Sequence, residues 1–442
     1  MKKSWSRIFV LTMGIPLLLA LLAACGSGTT TGGGTPTAGS TVIKVATDFP
    51  VTGKDESGGK PAENGAALAV TQANTNKTIP GYTLQFVPKD DVGPSGAHDP
   101  AVGKANVTAL IGDALVAGIV GPFNSGVAEA EMPVANQAPI ALISPSNTLP
   151  CLTQTAADSA ECVGQYDIRS TLRPSGNVTY FRIATTDTSQ GGVGATLLYG
   201  LNYRKVWVVD DAEAYGIGIA NIFSSDWTKL GGTVLNRSSE PGTTTSFVSL
   251  LTTIAAAHPD VVYFGGTDAT GGTLFREQFK QVPGLANTPL GSGDGIVTGD
   301  FAKGVAPLGG GAIYGTTGSV DVSKVPAAQS FVTTYQTTYG TLGAYSANAY
   351  DSMNILIQAI KKAIANGAVT PQNSGDLTGA KAFRTAVIAA LKTTDYTGPT
   401  GHHTFDANGD TTDKAVSIWL LKNIKTPCDN SCWVFQKVII AP

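Results

Sequence analysis

Short apolar runs alternate with longer amphipathic stretches from residue 42 onward, and this alternation predicts the secondary structure. Strands that are apolar throughout, rather than at every second position, are typical of parallel sheets covered on both faces. Strands are predicted at residues 42–46, 82–87, 116–120 and 140–143. Helices are predicted between them at residues 62–74, 99–112 and 127–137, with Pro61 at the favoured first position of the first helix.

The pattern restarts near residue 206 and predicts a second unit of similar size. Strands are predicted at 206–209, 234–235 and 261–264, and helices at 216–230, 247–257 and 273–280. Three more helices follow at 327–339, 347–365 and 380–391. In the tail, Asn408-Gly409 lies between short apolar runs and favours a tight hairpin turn.

The predicted fold class is α/β: two doubly wound parallel-sheet lobes joined by a three-segment hinge. Lobe 1 is assigned residues 42–182 and 315–397, and lobe 2 residues 183–314 and 398–442, with crossings near Arg182, Gly315 and Gly398. Ligands of open α/β sheets bind at the carboxyl ends of the strands. The expected binding surface is therefore formed by the loops that follow the strands ending at residues 46, 120, 143, 209 and 264.

The first 41 residues predict export. Lys2 and Lys3 precede an apolar run from residue 8 to 24, a pattern typical of a secretion signal. Leu22-Ala23-Ala24-Cys25-Gly26 resembles a bacterial lipobox, which implies lipidation of Cys25 and removal of residues 1–24; the alternative is an ordinary cleavage site before a cysteine. Residues 25–41 then form a predicted flexible tether, since 26–40 contain only Gly, Ser, Thr, Pro and Ala.

Composition narrows the function. The 442 residues carry a formal net charge of −3, with 14% charged residues and no basic stripe, which argues against a nucleic-acid partner. Four cysteines remain besides Cys25, and in an exported chain an even number suggests disulfides with three connectivities. Local pairing, Cys151 with Cys162 and Cys428 with Cys432, is the simplest, because each pair brackets a polar loop. A zinc site is the rival interpretation.

At the predicted binding loops, the chain resembles the branched-chain amino acid binding proteins of ABC importers, which have the type I periplasmic-binding fold. The matching segments keep the family's order over nearly the whole mature chain. They include Asp48-Phe49-Pro50-Val51-Thr52-Gly53, Gly121-Pro122-Phe123-Asn124-Ser125, Ile143-Ser144-Pro145-Ser146-Asn147-Thr148, Tyr215-Gly216-Ile217-Gly218, Gly265-Gly266, Ala349-Tyr350-Asp351 and Phe405-Asp406-Ala407-Asn408-Gly409-Asp410.

The resemblance implies a site for the ligand carboxylate in the first lobe. Ser125 and Thr148 match the family's carboxylate-binding positions, and Ser146 matches a main-chain contact. Hydroxyls and N–H groups near a helix start suit this role, because charge-assisted bonds to an anion are short and strong. Ser125 could instead cap the helix predicted at Val127. Phe49, in the first matching segment, is also expected to contact the ligand.

On the second lobe, the resemblance implies that Tyr215 closes over the ligand and that Asp294 pairs with its α-ammonium group. The alternatives are a core tyrosine and a plain turn aspartate. Leucine-type relatives have Glu where this chain has Asp294, and an aromatic residue where it has Thr267-Asp268. Asp268 could add a second anion to the pocket or cap the helix near Thr273. Residues 152–180 form a longer segment than usual, which could cover the cleft or decorate its edge.

The chain is therefore expected to be an extracytoplasmic, lipid-anchored solute-binding protein, with an amino acid or similar solute as ligand and permease and ATPase subunits as partners. A sensor of the same fold is the alternative. No Gly-x-Ser-x-Gly elbow, His-Glu-x-x-His motif or P-loop suggests an enzyme. No cofactor or metal is expected: His402-His403 is more typical of a solvated loop, and Asp406, Asn408 and Asp410 lack the glutamate of a calcium loop.

Overall fold

The computed structural model of the chain describes residues 41–157, 162, 169–421 and 428–441. The predicted signal peptide, the lipidation candidate Cys25 and nearly all of the predicted tether lie outside these residues. Within the described ranges, no helix combines the length and the apolar character that crossing a membrane requires.

The first lobe is built on five parallel strands. Its elements, in chain order, are β1 (Thr41–Phe49), α1 (Glu56–Thr75), β2 (Tyr82–Asp90), α2 (Pro100–Ile111), β3 (Val116–Val120), α3 (Ser125–Gln137), β4 (Ala141–Ser144), α4 (Arg169–Leu172) and β5 (Tyr180–Arg182). The strands lie in the order β2-β1-β3-β4-β5. Every residue of β3 and β4 is buried, as their uniformly apolar sequences predict for strands covered on both faces.

Two helices of this lobe begin at residues that are determined by local sequence in one case and by packing in the other. Asp99, predicted as the first residue of the helix, instead caps α2, because its side chain accepts from the N–H groups of Ala101 and Val102. The predicted start of α1 at Pro61 was wrong: the helix begins at Glu56 and Pro61 lies inside it. Gly59 permits the earlier start, since a Cβ atom there would lie 2.0 Å from the Pro50 carbonyl oxygen. The glycines that suggested a loop instead allow close packing.

The second lobe repeats the strand–helix alternation. Its first elements are α5 (Asp187–Gly200), β6 (Lys205–Asp210), α6 (Ala214–Lys229), β7 (Thr233–Ser239), α7 (Val248–Ala256), β8 (Val261–Gly265), α8 (Thr273–Gln281), β9 (Leu290–Ser292), α9 (Gly299–Val305) and β10 (Ile313–Thr317). Strands β6 to β10 are parallel to one another. The aromatic side chains of Phe264, Phe275 and Phe279 pack in the core between this sheet and its helices.

The chain then returns to each lobe once. Met353, Leu356 and Val387, from two of the returning helices, join the first-lobe core against Ile43 and Val120. The second sheet is completed by two antiparallel strands, so it is mixed rather than wholly parallel, in the order β14-β13-β10-β9-β8-β6-β7. The returning elements are α10 (Gln329–Tyr339), α11 (Ser346–Ala365), α12 (Leu377–Leu391), the hairpin strands β11 (Tyr396–Gly398) and β12 (Gly401–His403), and β13 (Ala415–Leu421) and β14 (Trp433–Ile440).

The positions of the crossings differ in part from those expected. Gly315 is paired within β10 on both sides, so the chain leaves the second sheet only after Thr317. Gly398 lies in the small hairpin, which is held against α11 of the first lobe because Thr400 donates to Asp351 through both its N–H and its hydroxyl. The last crossing therefore follows this hairpin and precedes β13.

Candidate functional site

A cavity lies between the two lobes, at the carboxyl ends of the strands. Its free volume is about 60 Å³; at roughly 10–15 Å³ for each water, this leaves room for a small solute rather than a peptide. Six of the seven predicted ligand-binding residues line it: Ser125, Ser146 and Thr148 from the first lobe, and Tyr215, Asp268 and Asp294 from the second. The fold therefore brings together side chains that are up to 169 positions apart in the chain, from Ser125 to Asp294.

The first-lobe wall is the start of α3. Ser125 is the first residue of this helix, and the preceding Asn124 makes no side-chain capping bond. The expectation that Ser125 caps a helix beginning at Val127 is therefore wrong, because the helix already includes Ser125. Its side chain is buried and lines the cavity. The N–H groups of a helix's first turn have no intrahelical partner, so this end favours an anion.

The loop after β4 is tied to the loop after β3. Ser144 donates its hydroxyl hydrogen to the Pro122 carbonyl (2.8 Å) and accepts from the Asn147 N–H (2.9 Å). Ser146 and Asn147 both donate through their side chains to the Phe123 carbonyl, at 2.8 and 2.7 Å. The Ser146 hydroxyl is used in this way, and the main-chain contact of Ser146 with a ligand stays a prediction.

Thr148 is buried on the same wall. Its hydroxyl makes no hydrogen bond of normal geometry among the described residues, although it lies near the Asp187 carboxyl group and lowers the pKa of that group. Its carbonyl accepts from the Asp187 N–H at 2.8 Å, which fixes the start of α5 against the loop. Thr148 therefore lines the cavity, with its hydroxyl buried near Asp187.

Asp294 forms the opposite wall and accepts three hydrogen bonds. Tyr215 and Gln190 donate to Oδ1 at 2.7 and 2.8 Å, and Tyr345 donates to Oδ2 at 2.7 Å. Burial raises the pKa of Asp294, while these three donors oppose the increase. Such donors stabilise the ionised form, so the group presents a preorganised negative charge to the cavity.

A second carboxyl group lies behind Asp294. Burial, with the nearby charge of Asp294, raises the pKa of Asp187 to about 8. At neutral pH Asp187 therefore holds a proton. Gln190 bridges the two acids, because its Nε2 donates to Asp187 Oδ1 at 3.1 Å as well as to Asp294. The site thus presents at most one full negative charge here, rather than two.

The aromatic contacts differ from those expected. Phe49 does not line the cavity, because its side chain is fully buried in the core and packs edge-on against Phe123 with ring centroids 6.2 Å apart. Phe123 lines the cavity and packs in turn against Tyr345, at 6.0 Å. Phe123 thus takes the place in the cavity lining that was expected of Phe49. Tyr345 was not predicted, although the matching segment Ala349-Tyr350-Asp351 lies just after it and could have directed attention to the start of α11.

Asp268 lies in the turn that follows β8, directly after Gly265-Gly266-Thr267. The capping residue of its segment is Thr267, whose side chain accepts from the Thr270 N–H. Asp268 itself lines the cavity and accepts hydrogen bonds from the hydroxyls of Thr273 and Thr298. Burial raises its pKa to about 6. The structure therefore supports both alternatives for Asp268: its carboxylate lies at the cavity, and it accepts from the main-chain N–H and the hydroxyl of Thr273 at the start of α8.

Both locally paired disulfides are present, Cys151–Cys162 and Cys428–Cys432. The first lies beside Arg182, which is fully buried and donates to Asp410 at 2.7 Å and to the Leu149 carbonyl at 2.6 Å. Arg182 thereby holds the loop that carries Thr148.

Metal binding finds no support in the part of the chain that the structure describes, where no three His, Cys, Asp or Glu side chains are grouped to hold an ion. His402 is exposed and bonds Asp395, while His403 is buried between Thr400 and Thr411, and burial lowers its pKa to about 4. Asp406 accepts from the N–H groups of Asn408 and Asp410, which forms the predicted turn.

Residues 42–422 match the sequence model of a family described as periplasmic binding protein. The chain belongs to this family. The Leu/Ile/Val-binding protein BraC3 of Rhizobium johnstonii is 28% identical over 380 residues, which cover 85% of this chain and 91% of that protein. An amino acid binding protein of Pseudomonas aeruginosa is 27% identical over 322 residues, 72% of this chain and 78% of that one.

Solved structures of periplasmic binding proteins share the fold. The leucine binding protein LivK of Thermotoga maritima superimposes with a TM-score of 0.71 at 23% identity, covering 90% of this chain and 99% of that chain. A solute binding protein of an ABC transporter from R. palustris, in complex with 4-hydroxybenzoate, gives 0.71 at 20% identity, covering 91% and 98%. Like its relatives, this periplasmic binding protein is a solute-binding protein and not an enzyme.

Proposed function

We propose that this protein captures an α-amino acid, or a solute with the same two charged groups, in the cleft between its lobes. The observation that carries the proposal is the pairing of opposite chemistries across one cavity. The start of α3, with Ser125 and Thr148, suits a carboxylate, and Asp294 with its three donors suits an ammonium group. The solute would bridge the two lobes.

The relatives' own ligands support this assignment. Solved structures of similar fold hold leucine, isoleucine, benzoate or hydroxybenzoates. All of these ligands carry a carboxylate, so the α3 wall alone would suit every one of them. Asp294 favours the amino acids, because an anionic benzoate brings no cation to a buried carboxylate that would otherwise lack one.

Capture would proceed by hinge closure and delivery to an ABC permease. A ligand that contacts both lobes has a higher affinity for the closed arrangement and shifts the population toward it. The closed form would then dock on the permease and its ATPase subunits, while a lipid on Cys25 retains the protein at the outer face of the membrane. Loss of membrane association in a Cys25→Ala variant, with secretion unchanged, would test the anchor.

The binding site is tested by ligand-induced thermal stabilisation. Saturation at 100 times the dissociation constant stabilises a protein by about 2.7 kcal/mol, so the purified protein should show a clear rise in Tm with its amino acid. Asp294→Ala and Thr148→Ala should each abolish this rise, whereas Asp300→Ala, which removes an exposed acid on α9, should preserve it. Rises equal to the wild-type value in both cavity variants would disprove the site.

A further inference from the structure

The second-lobe wall carries two acidic side chains on adjacent loops. Asp294 follows β9 and Asp268 follows β8, and these strands are parallel neighbours. The loops are in close contact, since a Cβ atom on Gly295 would lie 2.2 Å from the Gly266 carbonyl oxygen. Both acids line the cavity. A solute whose ammonium group meets Asp294 would therefore place its side chain along the wall that carries Asp268.

Asp268 is bonded but not neutralised. Its two oxygens accept from Thr273 and Thr298, which are uncharged donors. Among the described residues, its carboxylate forms no ion pair with a Lys, Arg or His side chain. Since burial raises its pKa only to about 6, Asp268 carries its charge at neutral pH. Closure of the cleft would remove water from an ion that has no counterion.

Leucine and a basic amino acid would differ sharply at this wall. An aliphatic side chain displaces water from the carboxylate and offers no hydrogen bond in exchange, which is costly for a buried charge. An ammonium or guanidinium group would supply both the charge and the donors. Thr267 and Thr298, which also line the cavity here, make the wall polar as well as anionic.

Lys54 is the one cation of the protein that lines the same cavity among the residues described. It is exposed, lies on the first-lobe turn that packs against the Asp268 segment, and has no ion pair within 4.0 Å among the described side chains. If Lys54 swung inward during closure, it would neutralise Asp268 and leave a neutral side chain as the better ligand. The experiment must separate these two cases.

We infer that Asp268 is a specificity residue and that the preferred solute is an α-amino acid with a cationic side chain. This inference rests on the proposed function, because it assigns the α-carboxylate to α3 and the α-ammonium to Asp294. The side-chain cation would then bind at Asp268, between the hydroxyls of Thr267 and Thr298. The solute would occupy three charged subsites rather than two.

Isothermal titration of the purified protein with 2,4-diaminobutyrate, ornithine, lysine, arginine, glutamine and leucine tests the inference. At least one basic amino acid should bind more tightly than leucine. Asp268→Asn removes the charge and keeps one oxygen acceptor, while its amide nitrogen can donate to the other threonine hydroxyl. It should weaken that basic ligand by about tenfold or more, without weakening leucine. Asp300→Asn, an exposed acid nearby, should leave the order of ligands unchanged.

The other outcomes are also decisive. The inference would be overturned if leucine bound most tightly to the wild type and the order of ligands were the same in Asp268→Asn. The proposed function would stay intact in that case if Asp294→Ala still abolished binding. A shift from leucine to basic ligands only in Lys54→Met would show that Lys54 neutralises Asp268, and this too would overturn it. If none of the amino acids bound, the proposed function itself would fail. Matching far-ultraviolet spectra of the unliganded variants would confirm that they are folded.

Discussion

His98 of the first lobe lies 2.8 Å from Glu213 of the second, through its Nε2 and a carboxylate oxygen. Its other ring nitrogen lies 3.0 Å from Asp55, whose carboxylate also accepts from the His98 N–H. Asp55 lines the cavity, and Glu213 immediately precedes α6, which carries Tyr215. The imidazole therefore joins the lobes at the rim of the cleft, with an acid on each side.

This contact predicts a pH dependence of the closed form. Burial lowers the pKa of His98, but Asp55 and Glu213 outweigh it and hold the pKa well above the usual value. A raised folded-state pKa means that the stabilisation is complete below pH about 6.5, and is lost as pH rises through the raised value. In a series of Tm measurements from pH 6 to 9, His98→Asn should show a smaller decline than the wild type.

Glu213→Gln is the matched control for this prediction. It removes the second-lobe charge but keeps the Asp55 contact, so its decline should be intermediate. Asp91 also interacts electrostatically with His98. The dependence of Tm on pH that remains in His98→Asn will therefore include the titration of Asp91. Equal slopes in the wild type and His98→Asn would show that His98 does not contribute to the pH dependence.

Three carboxyl groups are buried together behind the first-lobe wall. The side chain of Asp48 lies beside those of Asp91 and Glu131. All three have side-chain oxygens without hydrogen-bond partners of normal geometry in the described structure. Burial raises all three pKa values, that of Asp48 to about 7. The contribution of this cluster to the free energy of unfolding is therefore complete below pH about 4. It falls as pH rises toward 7, because the cluster must lose protons that burial favours.

Glu131→Gln should relieve this cost. The substitution keeps the shape of the side chain and removes one ionisable group from the cluster. Urea unfolding at pH 8 should show a gain on the order of 1–2 kcal/mol, because a buried carboxylate without a hydrogen-bond partner costs about that much or more. At pH 4 the variant and the wild type should be equally stable, since the carboxyl groups are then protonated in both. A gain of the same size at both pH values would argue for packing rather than titration.

How far the site could be predicted depended on where each residue lies along the chain. Ser125, Thr148 and Tyr215 each follow a strand that the apolar pattern locates, and parallel strands bring their carboxyl ends together. Asp294 was found only through the resemblance to the branched-chain amino acid binding proteins, because no strand was predicted before it. Tyr345 could not be found from the apolar pattern either. It precedes α11, which belongs to the first lobe and follows β10 of the second sheet, so only the crossing geometry brings its hydroxyl to Asp294.

Helix α5 was missed for a different physical reason. Its sequence contains Gly191, Gly192 and Gly194, which disfavour a helix by propensity. In the fold, a Cβ atom on Gly191 would lie 2.9 Å from Ile222 Cγ2, so the glycine permits α5 to pack closely against α6. Tertiary contact decides this segment, and no local pattern reports it. Phe49 shows the converse: its place after an apolar strand suggested a ligand contact, but its side chain points into the core.

The buried ion pair of Arg182 and Asp410 should be essential for stability. Burial raises the pKa of Asp410, but Arg182 lowers it further, so the pair is charged and its stabilisation would be lost only as pH falls below about 4. Asp410→Asn leaves the guanidinium buried without a counterion, at an expected cost of about 3–5 kcal/mol in urea unfolding. Asp226→Asn, which breaks an exposed pair with Lys229, should cost about 0.5 kcal/mol or less. Similar losses in the two variants would contradict this assignment.

Tyr345 offers the most direct test of closure. Its hydroxyl comes from the first lobe and donates to Asp294 of the second at 2.7 Å, while Tyr215 donates to the same carboxylate from within the second lobe. Only the Tyr345 bond depends on the lobes being together. Tyr345→Phe should therefore weaken the binding of an amino acid by about tenfold or more, the cost of a hydrogen bond to a charged group.

The two tyrosines can be separated by measuring shape as well as affinity. Tyr215→Phe should also weaken binding, because it removes a donor from Asp294. Small-angle scattering is measured for each variant at a subsaturating ligand concentration, set at the same fraction of that variant's own dissociation constant. If the tyrosines acted only on the bound ligand, Tyr345→Phe and Tyr215→Phe would show the same fraction of compact particles. Without ligand, however, Tyr345→Phe should be more open than both the wild type and Tyr215→Phe, since it lacks a bond that closes the cleft. Identical scattering from the three unliganded proteins would show that the Tyr345 bond does not contribute to closure.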